Sequence, residues 1–251
     1  MTAPGLRPFF CYYGGKWRAA PKYPVPDHET IVEPFAGAAG YATRYYDRKV
    51  VLVERDPIVA GLWQYLTRVT PAEILSIPDV PEGDTVENLA TTEEARWLVG
   101  FWLNKGVSAP RKTPSAWMRQ GIRPRSFWGP EIRRRLASQV EKIRHWRIVE
   151  GSYERAPDLR ATWFVDPPYE KAGKHYRFGA ELIEYEGLAA WCMSRDGTII
   201  VCENVGARWL PFEPFVSIKA NESKRGGKRS EEALFVRRSE PLAPAARREV
   251  G

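Results

Sequence analysis

Residues 29–66, ETIVEPFAGAAGYATRYYDRKVVLVERDPIVAGLWQYL, constrain the fold more than any other stretch. A short β-branched run after Glu29 gives way to a Gly/Ala turn, and a helix is predicted over the Tyr-rich segment that follows. A second β-branched run starts at Val50 and ends in acid at Glu54, and another helix is predicted near IVAGLWQYL. Strand, turn, helix, strand, helix is the opening of a doubly wound α/β sheet.

Signals of the same kind resume after about residue 145. RIVEGS and ATWFVDPPY are predicted strands, ELIEYEGLAAWCMS a helix and GTIIVCEN a strand; FVSIKA and EEALFVRR are predicted as a terminal hairpin joined through KRGGKR. Residues 72–90 lie among Pro71, Pro78, Pro81 and Gly83 and read as a connecting loop. TTEEARWLVGFWLNK predicts a helix capped by Thr92. Residues 106–130 predict a long loop, and GPEIRRRLASQVEKIRHW a helix with Pro130 in its first turn. The expected architecture is a Rossmann-like α/β domain over residues 1–65 and 146–251, ending in an antiparallel hairpin. It carries a mostly helical insert over residues 66–145.

Composition narrows the class. Hydrophobic residues make up 43% of the 251, which excludes wholesale disorder. No apolar run approaches the ~18 residues of a membrane span. The start, MTAPGLRPFFCYYGGK, lacks the pattern of a secretory signal, so a cytoplasmic protein is expected. Cys11, Cys192 and Cys202, with His28, His145 and His175, are too dispersed for a disulfide framework or a legible metal site. The net charge of +7 is unevenly spread. Residues 72–95 hold seven acids and no base, whereas 96–147 hold thirteen bases against two acids. Five of the ten Trp share the basic window: Trp97, Trp102, Trp117, Trp128 and Trp146. Cations interleaved with aromatics suit a nucleic-acid surface, although any one Trp is more often core. Arg111, Lys112, Arg119, Arg123, Arg125, Arg133, Arg134 and Arg135 are the candidate phosphate contacts.

Three features carry chemistry. The turn Pro34-Phe35-Ala36-Gly37-Ala38-Ala39-Gly40 lets backbone N–H groups approach a ligand closely, without being a dinucleotide or phosphate-loop motif. Glu54 ends the second strand, where an acid can accept both hydroxyls of a ribose. The most specific is Asp166-Pro167-Pro168-Tyr169 after Trp163-Phe164-Val165. The carboxylate can accept a hydrogen bond from an amino group. The prolines freeze the turn and leave a carbonyl free to accept a second bond, and the ring can stack on a planar base.

With Tyr12-Tyr13-Gly14-Gly15-Lys16-Trp17 and Glu33 before the Gly turn, these residues give the chain a resemblance to the Dam-like DNA adenine N6-methyltransferases. The element order agrees: Gly turn first, recognition insert next, catalytic motif last, then a closing hairpin around Lys224–Leu234. The resemblance implies a sheet that binds S-adenosylmethionine. Phe35, Gly37 and Gly40 would cradle the methionine portion, with Gly15, Glu33, Ala36 and Asp166 also on the cofactor's side. Glu54 would bind the ribose, and Tyr12 and Lys16 would close over it. Asp166 and the Pro167 carbonyl would bind the target amine of a flipped base, with Pro168 shaping the turn and Tyr169 stacking on the ring. DNA is the implied partner of a monomer without metal or membrane, in a bacterial or phage-infected cell.

The chain departs from the family at Ser152, where an acid after the Gly is common, and at Cys202-Glu203-Asn204, where a Ser-Asn pair is common. Other amines remain open as substrates: cytosine N4, RNA adenine or a glutamine side chain. Asp166 favours adenine in DNA, because cytosine enzymes more often carry Ser there and the others Asn. A DNA-binding protein that keeps the fold without catalysis is the alternative from another class.

Overall fold

The structure is a computed structural model and describes residues 5–121, 126–171, 176–219 and 229–238. Its centre is one seven-stranded sheet: β1 (Thr30–Glu33), β2 (Lys49–Glu54), β3 (Arg147–Glu150), β4 (Ala161–Val165), β5 (Gly197–Asn204), β6 (Glu213–Lys219) and β7 (Arg229–Arg237). The order is β3-β2-β1-β4-β5-β7-β6. The first five strands pair in parallel, and β7 runs antiparallel to both β5 and β6. The expected hairpin strands are therefore present as a pair, with Glu232 of β7 opposite Asn204 of β5. Their connection, from Ala220 to Lys228, lies outside the described residues.

The strands are continuous apolar runs because both faces of the sheet are covered. In β4 all five residues are buried, and alternation sends Trp163 and Val165 into one apolar cluster and Phe164 into the other. The cluster holding Trp163 is closed by Leu188 and Cys192 of helix α6 (Tyr185–Ser194). The cluster holding Phe164 is larger. It takes in the N-terminal segment (Phe9, Phe10), Val59, Leu62, Trp63 and Leu66 of α1 (Pro57–Leu66), and much of the stretch 66–145.

That stretch contains α2 (Pro71–Ser76), α3 (Glu93–Trp102), α4 (Ala116–Arg119) and α5 (Pro130–Ala137). Helix α3 packs on α1, and α2 on α5. Trp97 lies against Gly61 of α1 so closely that a Cβ there would meet its ring at 2.9 Å. Trp102, Trp128 and Trp146 are buried, and their indole N–H groups donate to the carbonyls of Phe9, Pro78 and Tyr46. Trp102 thereby fastens the stretch to the N-terminal segment, and Trp128 ties α5 to the chain after α2. The stretch shares one core with the sheet rather than enclosing a core of its own.

Several local expectations are corrected: the loop expected at 106–130 contains α4, the helix expected from Glu181 starts at Tyr185, and three further segments differ. The segment after the Gly/Ala turn forms only a 3-10 turn, Ala42–Tyr45, instead of a helix. Gly37 and Ala39 both take φ of +46°, so right-handed backbone cannot begin before Gly40, and β2 starts at Lys49. The loop expected at 72–90 contains α2, started by a capping box between Thr70 and Glu73 with Pro71 at its first position. The helix expected over 129–146 ends at Ala137, and a 3-10 turn (Val140–Ile143) follows. Between them, Gln139 turns inward and brackets the backbone of Arg7, accepting from its N–H at 2.8 Å and donating to its carbonyl at 3.2 Å.

Among the described residues, no helix is long and apolar enough to cross a membrane.

Candidate active site

The strand order reverses between β1 and β4, and in such sheets ligands bind beyond the carboxyl ends of the strands at the reversal. A cleft of about 860 Å³ opens there. Glu33 ends β1, Glu54 ends β2, Ser152 and Tyr153 follow β3, and Asp166 follows β4; all of them line it. So do Tyr12, Gly15, Lys16, Phe35, Ala36, Gly37, Gly40 and Pro168. The structure thus brings together every residue expected on the cofactor's side. Pro167 and Tyr169 are not among the residues that line it: Pro167 is buried and Tyr169 half-buried beside Asp166.

The Gly turn is set by two buried acids. Glu54 accepts from the N–H of Gly37 and of Asp56, each at 2.8 Å, which ties the turn to the end of β2. Glu33 accepts from Ala42 N–H at 2.6 Å. Burial pushes the Glu54 carboxyl up to about 7 and that of Glu33 up to about 8, against the pull of these backbone donors. The glycines are required by close approach. A Cβ on Gly40 would lie 2.5 Å from the Trp17 nitrogen, and one on Gly37 would lie 3.2 Å from the Tyr12 ring. Phe35 stacks on Tyr153 with ring centres 5.4 Å apart.

Asp166 is bound from the N-terminal segment. Lys16 Nζ lies 2.7 Å from its Oδ1, and Oδ1 is itself inaccessible to solvent. The side chain as a whole retains 16% exposure, so the remainder of the carboxyl faces the cleft. Burial raises Asp166 to about 6, with Lys16 pulling it down and Glu232 pushing it up. For Lys16, burial opposes the charge, but Asp166 and Glu232 outweigh it and hold the ammonium above its ordinary range. No hydrogen bond reaches the Pro167 carbonyl among the described residues, whereas the Pro168 carbonyl accepts from Tyr185 Oη at 2.5 Å.

Tyr176, Phe178, Asp56 and Arg177 carry no warning in the sequence, whereas Ser152 and Glu203 are marked there without a partner. Tyr176 stands against Tyr12 and Tyr13, and with Phe178 it closes the cleft opposite the Gly turn. Asp56 caps α1 and pairs with Arg177 at 3.4 Å. Glu203 accepts from the N–H of Glu170 and Asn204 and from the Trp209 indole, which fixes the chain just after Tyr169. Ser152 hydrogen-bonds the carboxylate of Glu154, the acid nearest in sequence to the departure.

The candidate phosphate contacts separate by burial. Arg133 is held by both oxygens of Asp79 and by the Ile77 carbonyl, and it lies beside the Trp128 ring. Arg135 lies over Trp102 and donates to the Pro8 carbonyl. Arg134 is exposed and pairs with Glu131 one turn away, and Lys112 pairs with Glu87 on the surface. Arg111 and Arg119 are exposed, and Arg119 donates to the Pro114 carbonyl. Arg123 and Arg125 lie outside the described residues.

No family model matches the sequence. No curated protein sequence matches it either.

Proposed function

We propose that the protein is a DNA methyltransferase that uses S-adenosylmethionine and acts on the N6 amine of adenine. One observation carries this reading: Asp166 of the Asp-Pro-Pro-Tyr turn lies in the same cleft as the Gly turn and Glu54, beyond the point where the strand order reverses. The cleft suits the cofactor in charge. Asp166, raised only to about 6, and Glu54, raised to about 7, put negative charge beside a ligand bearing an ammonium and a sulfonium. When bound, S-adenosylmethionine supplies an electrophilic methyl group.

The chain's own residues do the rest. Phe35, Gly37 and Gly40 give the cofactor close access to backbone, and Glu54 keeps acceptor capacity beyond its two backbone donors for ribose hydroxyls. Tyr12, Tyr176 and Phe178 exclude water from above. Asp166 and the Pro167 carbonyl accept the two hydrogens of the target amine. That draws its lone pair out of conjugation with the purine ring, so transfer needs positioning and electrostatics and no covalent enzyme intermediate. The base must leave the duplex to reach them. Exposed cations of the stretch 96–147, among them Arg111, Arg119 and Arg134, are the candidates for holding the phosphates.

Isothermal titration with S-adenosylmethionine tests the cofactor, and absence of binding would end the methyltransferase reading. A tritiated-methyl assay on DNA tests the chemistry. Asp166→Ala is expected to lose transfer by about 10²-fold or more while cofactor binding persists. Full activity of that variant would refute the role of Asp166.

A further inference from the structure

Behind the cleft wall lies a second set of contacts that the proposed chemistry has not used. Glu232 of β7 is buried, with 3% of its surface exposed. It accepts from Tyr169 Oη at 2.7 Å and from Tyr23 Oη at 2.9 Å to each oxygen. Lys16 Nζ lies 3.6 Å from Glu232 and 4.7 Å from the centre of the Tyr169 ring, while holding Asp166. Asp166, Cys202 and Glu232 converge within 4.8 Å, and the Lys16 ammonium is the cation of that cluster. Burial pushes the phenols of Tyr169 and Tyr23 upward, so both remain hydrogen-bond donors at neutral pH.

The geometry points to Glu232 as a positioning residue: it anchors Tyr169 by its hydroxyl and draws Lys16 away from sole possession of Asp166. The proposal deepens the methyltransferase reading and rests on it. A phenol tied at its hydroxyl loses freedom at the ring, so the face offered to a base is fixed before the base arrives. An ammonium shared between two carboxylates neutralises neither, so Asp166 keeps an anionic oxygen for the amine. The antiparallel end of the sheet thereby acts on the catalytic turn, since Glu232 reaches it from the strand beside β5.

Three variants test this. Glu232→Leu removes the acceptor and the charge together; Tyr169→Phe keeps the ring and removes the tether; the third combines them. Each single variant is expected to lower kcat about tenfold with the dissociation constant for S-adenosylmethionine within about twofold. The double variant should be no slower than the worse single one, because one contact is removed twice. Glu232→Leu should also move the acid limb of the kcat profile to lower pH. The groups around Asp166 are Lys16, Glu232, Glu203, Glu33, Tyr169, Tyr176 and Cys202, and loss of one neighbouring anion eases its ionisation. Unchanged kcat, or losses that simply add, would overturn the proposal. Thermal unfolding of the same four proteins gives a readout free of activity. If the wild type proves to transfer no methyl group, coupling between the two substitutions in Tm still supports the tether while the enzymatic reading falls. Additive Tm changes overturn the tether itself.

Discussion

Gly40→Ala is the sharpest steric test of the site. The added Cβ would lie 2.5 Å from the Trp17 nitrogen, 2.8 Å from the Lys16 carbonyl carbon and 3.0 Å from the Lys16 nitrogen. All three are backbone atoms, so no side chain can swing aside. Relief to ordinary contact requires the Lys16–Trp17 segment to retreat by roughly 1 Å. Overpacking of this kind costs about 1–3 kcal/mol. In a chain of this size that lowers Tm by about 2–12 °C. The functional loss should exceed the loss of stability. Lys16 holds Asp166 at 2.7 Å, and a retreat of that size takes the pair out of hydrogen-bond range. Misplacement on this scale can cost a reaction about 10²-fold. Gly15→Ala is the control, because a Cβ there meets only the Tyr12 carbonyl oxygen at 3.4 Å and the Ala38 Cβ at 3.9 Å. Differential scanning fluorimetry of both variants, beside the tritiated-methyl assay, decides the matter. If Gly40→Ala matched Gly15→Ala in Tm and the wild type in transfer rate, the docking of the N-terminal segment on the Gly turn would be wrong.

Two further outcomes follow from buried charge. Glu33 has its carboxyl raised to about 8 in the folded chain, from the ordinary 4.5, so between those values the folded state binds the extra proton. Its contribution is complete below the unfolded value and is lost as pH rises through the folded one, at no more than about 1.4 kcal/mol per pH unit. Glu33→Gln should therefore match the wild type in Tm near pH 4.5 and exceed it increasingly towards pH 8; parallel Tm curves would contradict this. Arg133→Ala should destabilise the chain, because it removes the ties to Asp79 and Ile77, and it should leave the salt slope of DNA binding unchanged. Arg134→Ala should leave Tm unchanged and reduce that slope by about 0.9 for each phosphate no longer neutralised. Filter binding across a salt series, with the reverse pattern, would reject the assignment.

Much of the sheet is legible because its strands are continuous apolar runs with clear ends. GTIIVCEN matches β5 residue for residue, since Gly197 opens the run and Asn204 closes it. The turn after β1 is longer than it reads because Ala39 takes a left-handed φ that an alanine does not advertise, which leaves room for only a 3-10 turn before β2 begins at Lys49. Helix α2 is hidden by prolines that read as breakers, although Thr70 and Glu73 already carry the capping spacing. The three-arginine run reads as one cationic patch, yet a helix turns successive residues to different faces. Arg134 consequently faces solvent while Arg133 and Arg135 point into the structure. Glu232 is invisible for a related reason: it is one of two adjacent acids, and only strand register shows that the second points inward beneath Tyr169.

The acids of the cleft look alike in sequence, each closing a β-branched or aromatic run, and their partners tell them apart. Glu33 and Glu54 accept backbone N–H groups from the turns that follow β1 and β2, so their first task is to shape the Gly turn. No backbone N–H reaches Asp166 among the described residues, because the two residues after it are prolines with no N–H to give. Its one bound oxygen is held by Lys16, a side chain shared with Glu232. A buried carboxylate without backbone donors is costly unless something else supplies hydrogens. Here an ammonium pairs with it on one side, and on the other the cleft leaves room for the hydrogens of an amine. The prolines therefore do more than stiffen the turn: by withholding N–H groups they leave Asp166 with acceptor capacity that the fold does not consume.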